Sequence, residues 1–188
     1  MILHCGTSNR GKLREFALAL PGIELRSVDA PPPEEHGTTF EETAIAKALY
    51  YSAFTDGLVF ADDSGLEVDA LSGAPGVHSA RYAGPDATDA DNNALLLSNL
   101  RGVENRTARF ICSIALVRDR ALLRTFRGVV EGRIVDQPRG PRGFGYDPLF
   151  FYEPFGCTFG EATDDQKMSV SHRGQALRAL LDFLLAAH

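Results

Sequence analysis

The sequence has no tryptophan, three cysteines in 188 residues and no long apolar run. Cys5, Cys112 and Cys157 are odd in number, far apart and without the C-x-x-C spacing of a metal or redox motif. They indicate buried thiols in a reducing cytoplasm rather than a disulfide framework. No apolar stretch reaches the roughly 18–20 residues of a membrane span, and the N-terminus shows no signal-peptide pattern. We therefore expect a cytoplasmic protein that does not enter a membrane.

Positive charge is also scarce, because 19 basic residues face 25 acidic ones and the formal net charge is −6. Proteins that bind nucleic acid or a membrane surface through charge need a basic surface, so we expect neither as a partner. A small anion stays compatible if positive charge is gathered locally or a divalent cation bridges. Lysine is especially rare, occurring at Lys12, Lys47 and Lys167.

The length and composition fit one folded domain over residues 1–188. Domains typically have roughly 100–200 residues, and a chain of this size buries about 70% of its unfolded surface. A hydrophobic fraction of 44% and a charged fraction of 23% are typical of globular proteins. The chain therefore needs no disulfide or metal to fold.

The spacing of apolar residues predicts an α/β chain. Strands are predicted at 1–6, 23–28, 58–61, 109–117, 122–135 and 149–152, the fourth and fifth forming a hairpin. Helices are predicted at 11–20, 39–54, 88–100 and 172–187, with loops at 73–85 and 137–145. Thr38 or Thr39, with Glu41 or Glu42, would cap the second helix. Strands and helices alternate early and strands gather in the middle, which predicts a mixed sheet in one unit or two tightly joined lobes.

The loop between the first strand and the first helix, GTSNRGK at residues 6–12, is the first candidate for chemistry. Backbone N–H groups at a helix N-terminus, together with a lysine, can bind phosphate. The segment matches the G-x-x-x-x-G-K of a P-loop, but Leu13 stands where that motif needs Ser or Thr for Mg²⁺. We therefore predict phosphate binding without P-loop chemistry; an ordinary turn capped by Asn9 is the alternative.

Two adjacent carboxylates, Asp62 and Asp63, follow the apolar strand 58–61 and are predicted to open a loop. Ligands of open α/β sheets bind at the carboxyl edge of the strands. Adjacent side chains of a strand point to opposite faces, so we expect one of the two to face the site. Such a carboxylate can hold Mg²⁺ or accept a proton from water, and an Asp-Ser-Gly turn without a chemical role is the alternative.

Four further acidic residues lie nearby, at Glu34, Glu35, Glu41 and Glu42. A solvated acidic face is the simpler interpretation for most of them. A magnesium site usually needs more than one carboxylate, and these residues are its nearest source.

A group of aromatic, glycine and basic residues lies toward the C-terminus, in GFGYDP at 143–148, Lys167 and SHR at 171–173. Glycines around Phe144 would leave its ring open for stacking, and Asp147, His172 and Arg173 offer hydrogen-bonding groups for the edge of a base. Taken singly, Phe144 is more typical of a core residue, and His172 is more typical of a helix cap. Together with a phosphate-binding loop they indicate a site for a purine nucleoside triphosphate.

Taken in order, these segments resemble the inosine triphosphate pyrophosphatase family, which hydrolyses non-standard purine nucleoside triphosphates. The matching segments are 7–12 (TSNRGK), 40–44 (FEETA) with Lys47, 61–66 (ADDSGL), 73–76 (GAPG), 79–82 (SARY), 143–148 (GFGYDP), Lys167 and 171–176 (SHRGQA). The resemblance implies an α/β fold with an elongated mixed β-sheet, flanking helices and two lobes around a central cleft. It also implies a homodimer and Mg²⁺ as the cofactor.

The resemblance implies roles for individual residues as well. Asp63 would be the general base and, with Glu35, a magnesium ligand; Glu34 or Glu42 could replace Glu35, because the loop before Lys47 varies. The residues implied to bind phosphates and sugar are Thr7, Ser8, Asn9, Arg10, Gly11, Lys12, Lys47, Ser64 and Lys167. Those implied to bind the base are Phe144, Gly145, Tyr146, Asp147, His172 and Arg173. Thr43 stands where the family often has asparagine.

The sequence thus predicts an enzyme that converts ITP, dITP or XTP and water into the monophosphate and pyrophosphate, with no covalent intermediate. Donors on His172 or Arg173 would select a 6-keto over a 6-amino purine; nothing in the sequence explains how GTP would be rejected. Three alternatives stay open: a P-loop-like NTPase, a related enzyme for pyrimidine or other modified nucleotides, and a nucleotide-sensing module without catalysis. The products would reveal the NTPase, the preferred base would reveal the related enzyme, and binding without product would reveal the sensor.

Overall fold

The computed structural model describes residues 1–186, which form a seven-stranded mixed sheet flanked by five α-helices. The strands are β1 (Ile2–Cys5), β2 (Glu24–Ser27), β3 (Leu58–Val68), β4 (Thr107–Arg118), β5 (Ala121–Ile134), β6 (Phe150–Tyr152) and β7 (Cys157–Thr158). The helices are α1 (Arg10–Ala19), α2 (Phe40–Tyr51), α3 (Asp89–Asn99), α4 (Asp164–Val170) and α5 (His172–Ala186). The predicted mixed sheet with flanking helices is confirmed; residue 187, the predicted end of the last helix, lies outside the described residues.

The order of the strands is β2-β1-β3-β4-β5-β6-β7. β1 pairs in parallel with β2 and β3, and the remaining neighbours are antiparallel. The β1–β3 pairing is short and joins His4 and Cys5 to Val59 and Phe60. β3 then continues from Ala61 beyond the end of β1, and a cleft opens at this point.

Local sequence explains where three helices begin. Thr39 and Glu42 form a reciprocal capping box at the start of α2, which settles the predicted cap in favour of this pair. Thr88 and Asp91 do the same for α3, in agreement with the predicted helix start at 88. The Asn9 side chain caps α1.

The two larger of three apolar cores lie toward opposite ends of the long strands β3, β4 and β5, and the third packs α2 against the sheet. The first packs α1 and α5 against the sheet and contains, among others, Phe16, Phe60, Ile114, Leu116, Phe126, Leu177 and Leu180. The second packs α3 and the β6–β7 region and contains, among others, Leu66, Leu96, Phe110, Val130, Ile134, Phe150 and Phe159. The same three strands supply both cores, so the predicted two lobes are joined by a continuous sheet.

The prediction that Asp62–Gly65 forms a loop was wrong, because the segment lies inside β3. β4 pairs along it, with Asp63 opposite Ser113 and Ser64 opposite Cys112. Lys12 and Arg173, which come from helices, neutralise Asp62 and allow a carboxylate in a buried strand.

Other differences are smaller. The segment predicted as a loop at 73–85 contains a 3₁₀ helix, Gly76–Arg81. β7 and α4 were not predicted, although Thr163 and Gln166 form a capping box that signals the start of α4. Within residues 1–186, none of the helices combines the length and apolar character needed to cross a membrane.

Candidate active site

A cleft of about 280 Å³ lies where β1 ends and β3 continues. It brings together most of the residues that the sequence predicted for the site. The predicted residues that line it are Thr7, Ser8, Asn9, Lys12, Glu35, Lys47, Asp63, Ser64, Phe144, Gly145, Tyr146, Asp147, Lys167, His172 and Arg173.

Two predicted binding residues, Arg10 and Gly11, do not line the cleft. Arg10 is exposed at the first position of α1. Gly11 lies under the Phe144 ring, where an added Cβ would approach a ring carbon to 2.6 Å. Gly11 therefore supports an aromatic wall of the cleft.

The three candidate acidic partners of Asp63 are placed differently. Glu34 is exposed and lies 3.2 Å from the ring of His36. Glu42 is engaged in the capping box of α2. Of the three, only Glu35 lines the cleft together with Asp63.

Thr7, Ser8 and Asn9 form one end of the cleft, at the N-terminus of α1. The Asn9 backbone N–H donates to Thr7 Oγ1 at 3.2 Å, and the Lys12 backbone N–H donates to Asn9 Oδ1 at 3.1 Å. The capped turn that was the alternative interpretation is therefore present, and it faces the cleft. A helix N-terminus with hydroxyl groups and a lysine nearby is suited to bind an anion.

The Asp63 carboxyl group lies in the cleft, and no side-chain hydrogen bond or ion pair joins it to another of the described residues. Burial raises the pKa of its carboxyl to about 7; the negative charges of Glu35 and Asp62 act in the same direction, and Lys47 and Lys12 oppose them. A carboxyl with a pKa near neutrality can accept a proton at physiological pH.

Glu35 is held by two cations. Its Oε1 lies 3.1 Å from Lys47 Nζ, and its Oε2 accepts from Arg81 Nη1 at 3.1 Å. Burial opposes ionisation, but the two cations outweigh it and the pKa of Glu35 is lowered. Sequence analysis did not assign Arg81 a role, although it lies in the matched segment 79–82.

Asp62 points to the opposite face of β3, so one carboxylate of the pair, Asp63, lines the cleft, as expected for adjacent residues of a strand. Its Oδ1 lies 2.9 Å from Lys12 Nζ, and its Oδ2 accepts from Arg173 Nε at 3.3 Å. Burial opposes ionisation, but Lys12 and Arg173 hold the pKa of Asp62 well below its usual range. Arg173 also donates to Ser64 Oγ at 2.5 Å.

Lys167 is buried between two carboxylates, 2.5 Å from Glu15 Oε1 and 2.6 Å from Asp147 Oδ2. Glu15 also binds Nη1 of Arg173. Burial raises the pKa of Asp147, whereas Lys167 and Arg173 outweigh burial at Glu15 and lower its pKa. Sequence analysis missed Glu15, because a helical glutamate is usually exposed and no local pattern marks this one.

The other end of the cleft is aromatic. Lys167 Nζ lies 4.9 Å from the centre of the half-buried Phe144 ring. The His172 ring stacks on Phe110, with centroids 4.7 Å apart. Burial lowers the pKa of His172 well below its usual value, as do Arg173 and Lys167, so the ring is neutral. Its Nδ1 has no partner within residues 1–186.

Tyr146 is mainly a core residue of the second lobe. Its ring is buried, and its hydroxyl donates to the backbone oxygen of Ser79 at 2.7 Å. Ser79, Asp89 and Asn92 also line the cleft, and sequence analysis assigned them no role.

The donor groups of the cleft fit a magnesium ion that is bound together with an anionic substrate. Glu35 and Asp63 are carboxylates that line the same cleft and whose charges interact. In the described part of the chain, no three His, Cys, Asp or Glu side chains group together to hold a metal by themselves. Mg²⁺ usually takes one or two protein carboxylates and completes its shell with water and substrate phosphates.

Comparison with known proteins finds relatives that match over nearly the whole chain. The chain is 51% identical to a dITP/XTP pyrophosphatase of Exiguobacterium sp. over 96% of its own length and 95% of that protein. It is 50% identical to the dITP/XTP pyrophosphatase of Geobacter sulfurreducens, over 95% and 94% of the two chains. Among solved structures, the Staphylococcus aureus Ham1 protein matches with a TM-score of 0.89 and 36% identity over 100% of both chains.

A HAM1 protein from Coxiella burnetii gives the same TM-score, 0.89, at 39% identity over 99% of both chains. The family model described as the Ham1 family matches residues 3–183. The agreement covers the fold, the sequence and nearly the whole length: the chain belongs to the Ham1 family.

Proposed function

We propose that this chain is a nucleoside triphosphate pyrophosphatase that hydrolyses non-standard purine nucleotides (ITP, dITP and XTP) to the monophosphate and pyrophosphate. The observation that carries the proposal is Asp63, an unpartnered carboxyl with a pKa of about 7 in a cleft beside a helix N-terminus and two lysines. Relatives about 50% identical to this chain bear the name dITP/XTP pyrophosphatase, which supports the substrate class.

The reaction needs a base and a cationic environment. Asp63 accepts a proton from a water molecule that attacks the α-phosphorus, the α–β phosphoanhydride bond breaks, and pyrophosphate leaves. Thr7, Ser8, Asn9 and the first turn of α1 bind phosphate oxygens. Lys12 and Lys47 stabilise the negative charge that develops on the leaving group.

Mg²⁺ is the cofactor that fits the donor groups. Glu35 and Asp63 would hold it, and Lys47 with Arg81 keeps the Glu35 carboxylate in place. When bound, the ion neutralises negative charge on the phosphates.

The aromatic end of the cleft suits the purine base. Phe144 offers a stacking surface, and His172 offers a neutral ring whose Nδ1 has no partner in residues 1–186. Each of the three nitrogens of the Arg173 guanidinium already contacts Asp62, Glu15 or Ser64, which favours His172 as the donor to a 6-keto group. A 6-amino purine would leave this donor unpaired, which costs about 1–3 kcal/mol.

We further infer that residues 1–188 act as one pyrophosphatase domain, in a homodimer in the cytoplasm. The dimer is implied by the family resemblance, and the location by the number and spacing of the cysteines. Light scattering coupled to gel filtration measures the mass in solution, and a mass of about one chain (20.4 kDa) contradicts the dimer.

The first experiment incubates the protein with ITP, dITP, XTP, GTP and ATP, with Mg²⁺ or with EDTA, and identifies the products. We expect monophosphate and pyrophosphate from the non-standard purines, little from GTP and ATP, and none with EDTA. Diphosphate and free phosphate would indicate a P-loop-like NTPase instead. Binding without any product would indicate a sensor and contradict the role of Asp63.

A further inference from the structure

The first turn of α3 forms part of the cleft wall but has no role in the chemistry described above. Its start is fixed by the capping box, in which Thr88 N–H donates to Asp91 Oδ2 at 2.8 Å and Asp91 N–H donates to Thr88 Oγ1 at 3.2 Å. Leu96 and Leu100, farther along, are fully buried in the second core. The helix therefore presents its first turn to the cleft from a fixed position.

Asp89 and Asn93 of α3 both bind one residue of the facing loop, Gly145. The Gly145 N–H donates to Asp89 Oδ2 at 2.8 Å, and Asn93 Nδ2 donates to the Gly145 oxygen at 3.2 Å. The two side chains are four residues apart and so lie on the same face of the helix. Together they hold both polar groups of the glycine, whose φ of 61° is unfavourable for other residues.

Asn92 joins α3 to a second segment, at Ala80 and Ala83. Its Oδ1 accepts from the Ala83 N–H at 2.8 Å, and its Nδ2 donates to the Ala80 oxygen at 3.1 Å. α3 is therefore tied both to the 3₁₀ helix Gly76–Arg81 and to the loop 143–147.

The loop 143–147 carries the aromatic wall of the cleft. On its inner side, the Phe144 N–H donates to Asp147 Oδ2 at 2.9 Å, and the Phe144 ring rests on Gly11. On its outer side, the backbone of Gly145 is held by α3. A movement of Gly145 would move the adjacent Phe144, so the contact with α3 controls how far this ring extends into the cleft.

We propose that Asp89 and Asn93 are positioning residues that set the width of the base-binding end of the cleft by holding Gly145. The inference rests on the proposed function, which assigns the purine base to Phe144. Loosening the loop weakens binding of a well-matched base more than of a poorly matched one. The phosphate-binding loop at residues 7–12 touches Phe144 at Gly11 but is held by its own hydrogen bonds among Thr7, Asn9 and Lys12, so it keeps its affinity for pyrophosphate.

The test compares Asp89→Ala with Asp89→Asn, which keeps an oxygen acceptor for the Gly145 N–H. In Asp89→Ala we expect KM for ITP to rise about tenfold, the size of one hydrogen bond to a charged group, with kcat changed by less than about threefold. The ratio of kcat/KM for ITP to that for GTP should fall. The inhibition constant of pyrophosphate should stay at the wild-type value, and Asp89→Asn should recover most of the wild-type KM.

Asn93→Ala provides a second route if Asp89→Ala does not fold. It should also raise KM for ITP. The double variant should raise KM by less than the product of the two single effects, because both side chains act on one residue. An unchanged KM in the folded variants overturns the proposal. So does a parallel loss of kcat and of pyrophosphate affinity, which would indicate a general structural role. A wild-type protein that forms no monophosphate from ITP would refute the proposed function instead.

Discussion

Asp62 and Asp63 are adjacent carboxylates of one strand whose surroundings drive their pKa values apart. Asp62 points toward Lys12 and Arg173 and is held ionised. Asp63 points into the cleft, where burial raises its pKa to about 7. Pairs of carboxyl groups separated in this way commonly divide structural and proton-transfer roles between them. Substitution of each residue should therefore have a different effect.

Asp63→Asn should lower kcat for ITP about 10²–10⁴-fold, because the proton acceptor is lost, while KM changes little. Its melting temperature should stay the same or rise, since a buried carboxyl with a raised pKa is replaced by a neutral group. Pyrophosphate release and thermal unfolding measure the two effects. A kcat close to wild type would exclude Asp63 as the base.

Asp62→Asn is the matched control for this prediction. It leaves the buried guanidinium of Arg173 without one of its carboxylate partners and should lower the free energy of unfolding by about 3 kcal/mol. A variant as stable as wild type would show that the Asp62 ion pairs contribute nothing to stability.

Single residues differ in how well the sequence predicts them. The scarcity of lysine pointed to Lys12, Lys47 and Lys167, and all three line the cleft. Glu15 could not be found in this way, because its burial depends on Lys167 and Arg173, more than 150 positions along the chain.

Secondary-structure elements are predictable where the signal is local. The predicted helix starts at 39 and 88 agree with α2 and α3, and the alternation of apolar residues predicted the β4–β5 hairpin. The full length of β3 was not predictable, because Asp-Asp-Ser-Gly is typical of a turn. The strand continues through these residues because charges on α1 and α5 neutralise Asp62, which is a tertiary effect.

The turn of the β4–β5 hairpin offers a test at the scale of one element. Asp119 and Arg120 both have positive φ, 51° and 62°, as a two-residue type I′ turn requires. A residue other than glycine is strained in this conformation by about 1–2 kcal/mol. Glycine removes this strain, but it loses more backbone entropy on folding, so part of the gain in stability is lost.

Arg120→Gly should therefore raise the free energy of unfolding by about 0.5–1 kcal/mol. The kcat should be unchanged, because the turn is outside the cleft lining. Chemical denaturation measures the difference. Arg118→Gly, a substitution within β4, should instead destabilise the protein. Equal effects of the two substitutions would contradict the explanation from turn geometry.

At the scale of the whole molecule, a buried charge network joins distant segments. Glu15 on α1 binds Lys167 on α4 and Arg173 on α5, and Lys167 also binds Asp147. The order of predicted strands and helices indicated the mixed sheet, and the family resemblance added two lobes around a central cleft. Sequence analysis did not predict this network, because no single segment contains more than part of it.

The network should make stability depend on pH. The pKa of Glu15 is lowered in the folded protein, so its contribution is present above the ordinary glutamate pKa and is lost as pH falls through the folded value. Asp147 has a raised pKa and acts in the opposite direction.

Glu15→Gln should thus be less stable than wild type at pH 7, and the difference should shrink as the pH is lowered from 7 to below the ordinary glutamate pKa, where wild-type Glu15 becomes protonated. Urea unfolding across this range measures it, with Glu104→Gln, at an exposed position, as the control. A difference that stays constant with pH would show that the charge of Glu15 does not stabilise the fold.

The three strands that pass unbroken from one core to the other also bear on how the protein unfolds. If either core melted, β3, β4 and β5 would lose packing along half their length, and the remaining core would lose the sheet on which it rests. The lobes therefore cannot unfold independently, and heating should give one cooperative transition. Because the cleft lies between these cores, catalytic competence should disappear in that same transition.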